Sequence, residues 1–378
     1  MKKINSKLKI ITLFGTRPEI IRLSRIINKF DYFFQNILVN TNQNFSYELN
    51  EIFFKDLNIR KPNYSFKKSS ASVIEKISNM LKEFDLICKK EKPDACLLLG
   101  DTNTSLLSYV CKRLKIPIFH IEAGNRSYDL RVPEEINRKI VDHLSDVNLT
   151  YSQISKNNLI KENIDPDKVI CIGSPLKEVF DFYKKKISKS KILNILRVKK
   201  FRYFLVSYHR EENIENQDNL SDFFKLLNYL KLEFKLPIIV STHFRLNNKL
   251  QNQIRKYNLK DIIFMKPFSY TDYCKLQINS KLIFSDSGSL TEETSIMDLK
   301  SINIRDSQER HEGFEEGVVP LTGLNLKLIK NAINYLMLDK NKKKQVTDYE
   351  KGKNISSKLV TIVISFVDQI NKKSWFKK

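Results

Sequence analysis

Residues 9–19, KIITLFGTRPE, join a short apolar run to a glycine and a polar loop. An apolar run of this length, bounded by a turn, is typical of a buried strand in a parallel sheet. The chain has only nine glycines in 378 residues, and four more of them end or closely follow apolar runs, at Gly100, Gly124, Gly173 and Gly288. Parallel α/β sheets bind ligands at the carboxyl ends of their strands, so these loops predict a binding site.

Short β-branched runs alternate with longer helical patterns, which predicts βαβ units and parallel sheets. The expected strands lie near 8–14, 36–40, 95–99, 117–121, 147–151, 169–172, 203–208, 237–241, 262–265, 281–285 and 301–304. A lysine-rich stretch over 177–198 separates the first six strands from the last five. We therefore predict an α/β fold with a Rossmann-like domain over 1–175, a second over 176–358 and a C-terminal helix over 359–378.

The formal charge is +23, from 66 Lys and Arg against 43 Asp and Glu. A polyanion partner is one interpretation of this excess. The excess is mostly lysine, spread along the chain with abundant Asn and Ile, and no arginine-rich nucleic-acid motif occurs. We therefore favour a coding bias over nucleic-acid binding, although a positive field suits a diphosphate substrate.

The five cysteines form no close pair, and the basic, apolar amino terminus lacks a small-residue cleavage site. These features predict a protein of the reducing cytoplasm. No run is long and uncharged enough to span a membrane, so we expect no membrane insertion.

The loop after residue 15 has a structural and a functional interpretation. Thr16 and Glu19 have the spacing of a capping box at a helix start. That box does not explain Arg17, whose charge opposes the helix dipole in the first turn. We therefore favour an anionic ligand near Arg17.

Two carboxylates follow expected strands of the first half. Asp101 comes after 95–99, and Glu122 comes after 117–121 beside His120. Asp101 fits a helix N-cap equally well. A carboxylate buried at a strand end is costly unless it is paired or used, which makes Glu122 the stronger candidate for a functional role.

A helix is predicted to begin at Pro133, and it carries a polar stripe of Glu134, Asn137, Arg138 and Asp142. Glu134 and Arg138 have the spacing of a plain surface ion pair. The stripe therefore faces either solvent or a ligand, and this segment alone does not decide between them.

Histidines follow two successive expected strands of the second half, His209 after 203–208 and His243 after 237–241. A histidine at a strand end suits phosphate binding or proton donation, and a structural role is equally compatible with the pattern.

The segment 286–293, DSGSLTEE, predicts a tight turn that opens a helix. Free N–H groups at the helix start and the missing side chain of Gly288 suit a phosphate. Glu293 suits ribose hydroxyls or stabilises the first helical turn, and Arg310 after the next strand suits a diphosphate. The loop matches neither the dinucleotide fingerprint nor a Walker loop, so we expect no nucleotide cofactor, and no pattern predicts a metal.

Together these segments resemble the non-hydrolysing UDP-N-acetylglucosamine 2-epimerase family, in order from Phe14 to about Gly323. The stretches 120–146, 207–213, 241–243 and 285–296 carry the resemblance. They look closest to a branch that converts UDP-2-acetamido-2,6-dideoxy-L-talose to UDP-N-acetyl-L-fucosamine for capsule or O-antigen synthesis.

The resemblance implies two Rossmann-like domains facing across a cleft, as in glycosyltransferases of the B-type fold. It implies elimination of UDP to a 2-acetamidoglycal and re-addition of UDP, without a redox cofactor. By resemblance, the catalytic residues are Asp101, Glu122, Glu134 and His209. The residues implied in substrate or UDP binding are Arg17, Arg22, Arg138, His243, Ser287, Gly288, Ser289, Glu293 and Arg310. Arg22 stands where many members have lysine.

The resemblance also implies a UDP-sugar substrate and a homodimer. Three alternatives stay open: interconversion of UDP-N-acetylglucosamine and UDP-N-acetylmannosamine, a glycosyltransferase of the same fold, and a polyanion-binding protein.

Overall fold

A computed structural model describes residues 7–43, 47–67, 72–208, 216–242, 257, 259–339 and 345–377. The chain divides into two compact units, Met1–Asp181 with Thr347–Lys378, and Phe182–Val346. The first unit therefore includes 176–181 and 347–358, which the sequence analysis assigned to the second domain.

The first unit contains a parallel sheet of seven described strands in the order β3-β2-β1-β4-β5-β6-β7. These strands are β1 Lys9–Phe14, β2 Gln35–Asn40, β3 Tyr64–Ser65, β4 Ala95–Leu99, β5 Ile118–Ile121, β6 Val147–Thr150 and β7 Val169–Cys171. β4 and β5 are buried along their whole length, as continuous apolar runs require in a sheet covered on both faces.

Helices connect these strands. They are α1 Arg17–Phe33, α2 Tyr47–Asp56, α3 Val73–Glu91, α4 Ser108–Arg113, α5 Pro133–Leu144, α6 Gln153–Lys161 and α7 Pro175–Lys189, which runs across the division between the units. After the second unit, a 3₁₀ turn at Thr347–Asn354 leads into the long C-terminal helix Ile355–Trp375, and this helix packs against α1. The Glu178 carboxylate accepts hydrogen bonds from the Ser356 backbone N–H at 2.8 Å and hydroxyl at 2.5 Å.

The second unit contains a parallel sheet of five described strands in the order β10-β9-β8-β11-β12. They are β8 Phe204–Tyr208, β9 Ile238–Thr242, β10 Ile263–Met265, β11 Leu282–Ser285 and β12 Ser301–Asn303. The described helices are α8 Ile192–Ile195, α9 Gln217–Phe234, α10 Tyr270–Asn279, α11 Leu290–Met297, α12 Glu312–Glu315 and α13 Leu326–Leu338; the C-terminal helix of the first unit is α14. One apolar core joins α9 to the strands of this unit. The predicted fold class, two parallel-sheet α/β domains, is confirmed.

Candidate active site

The strand order of the first sheet determines where its polar loops meet. β1 and β4 are neighbours, and the chain fills the sheet in opposite directions from this pair. Such a switch point leaves a crevice at the carboxyl ends of the strands. The loop after β1 leads to Arg17 at the start of α1, the turn after β4 carries Asp101, and Glu122 directly follows β5, the neighbour of β4. Three predicted site residues therefore lie at the carboxyl-terminal edge of this sheet.

Asp101 is held by the helix α5. Its Oδ2 accepts a hydrogen bond from Arg138 Nε at 2.7 Å, and its backbone oxygen accepts one from Asn137 Nδ2 at 2.9 Å. Arg138 Nη1 also lies 2.7 Å from the Glu135 carboxylate. Burial alone would raise the pKa of Glu135, but hydrogen bonds from Ser127 and Arg138 outweigh burial and lower it. Part of the predicted polar stripe thus faces the turn after β4.

Glu122 has a backbone conformation that few non-glycine residues adopt. Its φ is 74°, in the left-handed region, which costs about 1–3 kcal/mol and persists where surrounding contacts enforce it. The carboxylate Oε2 accepts a hydrogen bond from the Tyr151 hydroxyl at 3.3 Å and lies 3.8 Å from Arg22 Nε. Arg22 is buried on α1. The helix α1 and the turn after β5 therefore place a positive and a negative side chain next to each other.

A buried ionic network lies next to both turns, and sequence reasoning missed it. His120 Nε2 is 3.0 Å from the carbonyl oxygen of Gly100, and its Nδ1 is 2.9 Å from Asp142 Oδ1. Arg126 Nη1 lies 2.7 Å from the other Asp142 oxygen. Although burial raises the pKa of Asp142, His120 and Arg126 outweigh it, and the net shift is downward. The network therefore fixes the backbone that carries Asp101.

Glu19 links the loops after β1 and β4. As the expected capping box requires, its Oε2 accepts the Thr16 backbone N–H at 3.0 Å, and it also accepts the Gly15 N–H at 2.5 Å. Its Oε1 accepts the hydroxyl of Thr102 at 2.7 Å, which the sequence pattern did not predict. Thr102 is the residue after Asp101.

The other two predicted residues of this unit lie on the helices that follow these loops. The Arg17 guanidinium carbon is 5.7 Å from the ring centroid of Phe53. Glu134 is partly buried in the first turn of α5, one helical turn before Arg138.

The second unit has its own switch point, between β8 and β11. The loop after β11 leads into α11, whose N-cap is Ser289. The Ser287 and Ser289 hydroxyl oxygens are 2.9 Å apart, and Ser289 donates to Glu293 Oε1 at 2.7 Å. Gln277 Nε2 donates to the other Glu293 oxygen at 2.6 Å. Glu293 is therefore directed back towards the loop that the sequence identified.

A buried cluster of two arginines and two glutamates lies against this loop. Arg310 Nη2 is 2.7 Å from Glu292 Oε2, and its Nη1 is 2.8 Å from Glu309 Oε1. Arg305 Nη1 lies 3.0 Å from the other Glu309 oxygen. A Cβ atom added to Gly288 would lie 2.5 Å from Glu309 Oε1, which explains glycine at this position. The sequence predicted Arg310 near a diphosphate but not its two carboxylate partners.

His209 and His243 lie outside the described residues, directly after the ends of β8 and β9. Within the described part of the chain, no group of three or more His, Cys, Asp or Glu residues is arranged to hold a metal ion. In that same part, no helix combines the length and apolarity needed to cross a bilayer.

Two parallel-sheet α/β units with polar loops at their switch points are typical of nucleotide-binding enzymes. A family profile described as UDP-N-acetylglucosamine 2-epimerase matches residues 28–363. The chain therefore belongs to the UDP-N-acetylglucosamine 2-epimerase family, whose members are isomerases.

Individual relatives agree with this assignment. A UDP-N-acetylglucosamine 2-epimerase from Methanocaldococcus jannaschii is 34% identical over 348 residues, covering 88% of this chain and 93% of its own. A solved structure of a UDP-N-acetylglucosamine 2-epimerase from Rickettsia bellii is 42% identical with a TM-score of 0.92, covering 98% of this chain and 100% of its own. A solved M. jannaschii enzyme in complex with UDP-GlcNAc and UDP is 32% identical with a TM-score of 0.83, covering 94% and 100%.

Proposed function

We propose that this protein inverts carbon 2 of a UDP-linked 2-acetamido sugar. The observation that carries the proposal is the pair of carboxylates at adjacent strand ends, Asp101 and Glu122, each beside an arginine. Epimerisation needs one group to remove a proton from one face of the sugar and another to deliver a proton to the opposite face.

The proton on carbon 2 of the sugar is not acidic, because no carbonyl group is adjacent to that carbon, so simple removal and return of the proton is difficult. In the first step the C2–H and C1–O bonds break, a C1–C2 double bond forms and UDP leaves with the C1–O electron pair. In the second step a UDP phosphate oxygen adds back to carbon 1 while carbon 2 receives a proton on its other face. The reaction is redox-neutral and consumes no co-substrate.

We assign the proton transfers to Asp101, Glu122 and Glu134, with His209 assisting the leaving diphosphate. Arg22, Arg138 and His243 are proposed to bind the substrate. The residues proposed to bind UDP are Arg17, Ser287, Gly288, Ser289, Glu293 and Arg310. A helix start with free N–H groups suits the diphosphate, and the Glu293 carboxylate suits ribose hydroxyls.

UDP-N-acetylglucosamine is the first candidate substrate, because the relatives described above are named for it. UDP-2-acetamido-2,6-dideoxy-L-talose is the second, from the resemblance over residues 120–146, and its product would serve capsule or O-antigen synthesis. The two sugars differ at carbon 6, where a hydroxyl group needs a polar partner and a methyl group does not. The homodimer and the cytoplasmic location stay predictions.

Incubation of the enzyme with each candidate in deuterated water, followed by proton NMR, tests the proposal. We expect deuterium at carbon 2 with inverted configuration, and the faster substrate identifies the branch. Glu122→Gln serves as the inactive control. Acceptor-dependent release of UDP without exchange would instead support a glycosyltransferase.

Gly288→Ala tests the proposed UDP loop. The added Cβ meets Glu309 Oε1 at 2.5 Å, so the loop or the carboxylate has to move. We expect the Kd for UDP, measured by calorimetry, to rise by about 10-fold or more. This change corresponds to a loss of about 1.4 kcal/mol or more of binding free energy. Unchanged affinity with unchanged thermal stability would place the UDP site elsewhere.

A further inference from the structure

Glu19 is a buried carboxylate that the proposed mechanism does not use. It is 3% exposed, and the three hydrogen bonds that its carboxylate accepts come from loop residues at the β1/β4 switch point. Its side chain also lies against the turn after β4, because a Cβ atom at Gly100 would be 3.9 Å from Glu19 Oε1. One side chain therefore joins the loop that precedes Arg17 to the turn that carries Asp101.

The contacts on Glu19 suit the ionised form. The Gly15 and Thr16 N–H groups can only donate, and both contact Oε2. The Thr102 hydroxyl can donate or accept, so it alone can adapt when the carboxyl group takes up a proton. Protonation therefore changes the contact with Thr102, and this change reaches the turn that positions Asp101.

Burial raises the pKa of Glu19 to about 7, opposed by its hydrogen bonds and supported by the negative charge of Asp101. The other charged groups here are Arg17 and Arg22 on the same helix, and Arg138, which pairs with Asp101. Arg22 faces Glu122 at 3.8 Å. A glutamate at an ordinary helix start stays ionised at neutral pH, whereas a pKa raised to about 7 is expected to let Glu19 gain and lose a proton near neutral pH.

We propose that Glu19 is a positioning residue whose ionised carboxylate sets the place of Asp101 through Thr102. This inference rests on the proposed function, because Asp101 is assigned there to proton transfer. Glu19 does not touch the sugar in this scheme. The activity then depends on pH through Glu19, a residue that takes no part in the proton transfers themselves.

Glu19→Gln keeps the size of the side chain and removes its titration. In the wild type, we expect kcat to rise as pH increases through about 7, because only the ionised carboxylate accepts a hydrogen bond from the Thr102 hydroxyl. We expect Glu19→Gln to lose this limb of the pH profile and to lower kcat by about 100-fold, the loss expected for a displacement of about 1 Å, with little change in KM.

Glu75→Gln is the matched control. Glu75 closes a capping box on α3, where its Oε2 accepts the Ser72 N–H at 2.8 Å, but it is exposed and far along the chain from the switch point. The Glu75→Gln substitution should leave kcat and its pH profile unchanged. Thr102→Val should show the same pH profile as Glu19→Gln. Thr102→Ser, which keeps the hydroxyl group, should have the kcat that Thr102→Val loses. The double variant Glu19→Gln, Thr102→Val should have a kcat no lower than that of either single variant.

An acid limb that survives Glu19→Gln, or an effect confined to KM, would overturn the proposal. A wild type without carbon-2 exchange would refute the proposed function instead. The positioning role is then judged by carbon-13 NMR of labelled Asp: the chemical shift of the Asp101 carboxyl carbon should change near pH 7 in the wild type, as Glu19 ionises, and this change should be absent in Glu19→Gln. The same change of chemical shift in both proteins would overturn the positioning role independently of catalysis.

Discussion

Asp101→Asn is expected to lower kcat by about 10²–10⁴-fold, the range for loss of a general acid or base. Asparagine keeps the shape of the side chain but can neither accept nor deliver the proton. The fold should persist, because Arg138 keeps its contact with Glu135 at 2.7 Å. Turnover is read from deuterium exchange at carbon 2, and folding from circular dichroism and the urea midpoint.

Asp31→Asn is the control for this variant. Asp31 is also partly exposed and pairs with an arginine, Arg60, at 2.9 Å, but it lies on α1 away from the glycine loops. Loss of this pair should leave kcat unchanged. Glu134→Gln should behave like Asp101→Asn. Near-normal turnover of both active-site variants would refute the carboxylate mechanism.

Arg310→Met is expected to reduce the free energy of unfolding by about 3–5 kcal/mol, since breaking a buried ion pair leaves an uncompensated charge. Its guanidinium contacts Glu292 and Glu309, whose side chains are 0% and 6% exposed. Arg305 remains beside Glu309, so Glu292 suffers the larger loss. Urea unfolding monitored by circular dichroism measures the change.

Arg131→Met is the matched control, because Arg131 pairs with Asp129 at 2.8 Å while being 85% exposed. Such surface pairs contribute about 0–1 kcal/mol. A wild-type urea midpoint for Arg310→Met would show that the buried glutamates do not depend on it. Weaker UDP binding at full stability would then support direct phosphate contact.

The strands could be predicted closely because buried parallel strands are continuous apolar runs. The expected strand 95–99 coincides with β4, nine others differ from the observed bounds by one residue at one end, and 237–241 differs from β9 by one residue at each end. The sequence analysis missed β3, Tyr64–Ser65, because a two-residue strand at the sheet edge has no apolar run to mark it. The local signal is absent there, and pairing with β2 alone defines the strand.

The positions of the site residues could be predicted, but their partners could not. Asp101 and Glu122 lie at strand ends as expected, because the chain order of short strands and glycines places them there. Arg138 was considered with Glu134 at helical spacing, and the structure shows two partners that this spacing did not predict, Asp101 and Glu135. Asp142 likewise turns from the predicted stripe to His120. Such contacts join elements distant in sequence, so helical spacing alone does not specify them.

The division of the chain has a consequence for synthesis of the protein. A ribosome delivers residues 182–346 before 347–377, so the second unit is complete in sequence while the first still lacks the helix that packs on α1. Domains generally fold as units during translation, with the earlier one first. Here the order is reversed for the final step, because the first unit closes only after the second has been made. Until then, the surface of α1 that α14 covers stays accessible to water and to chaperones.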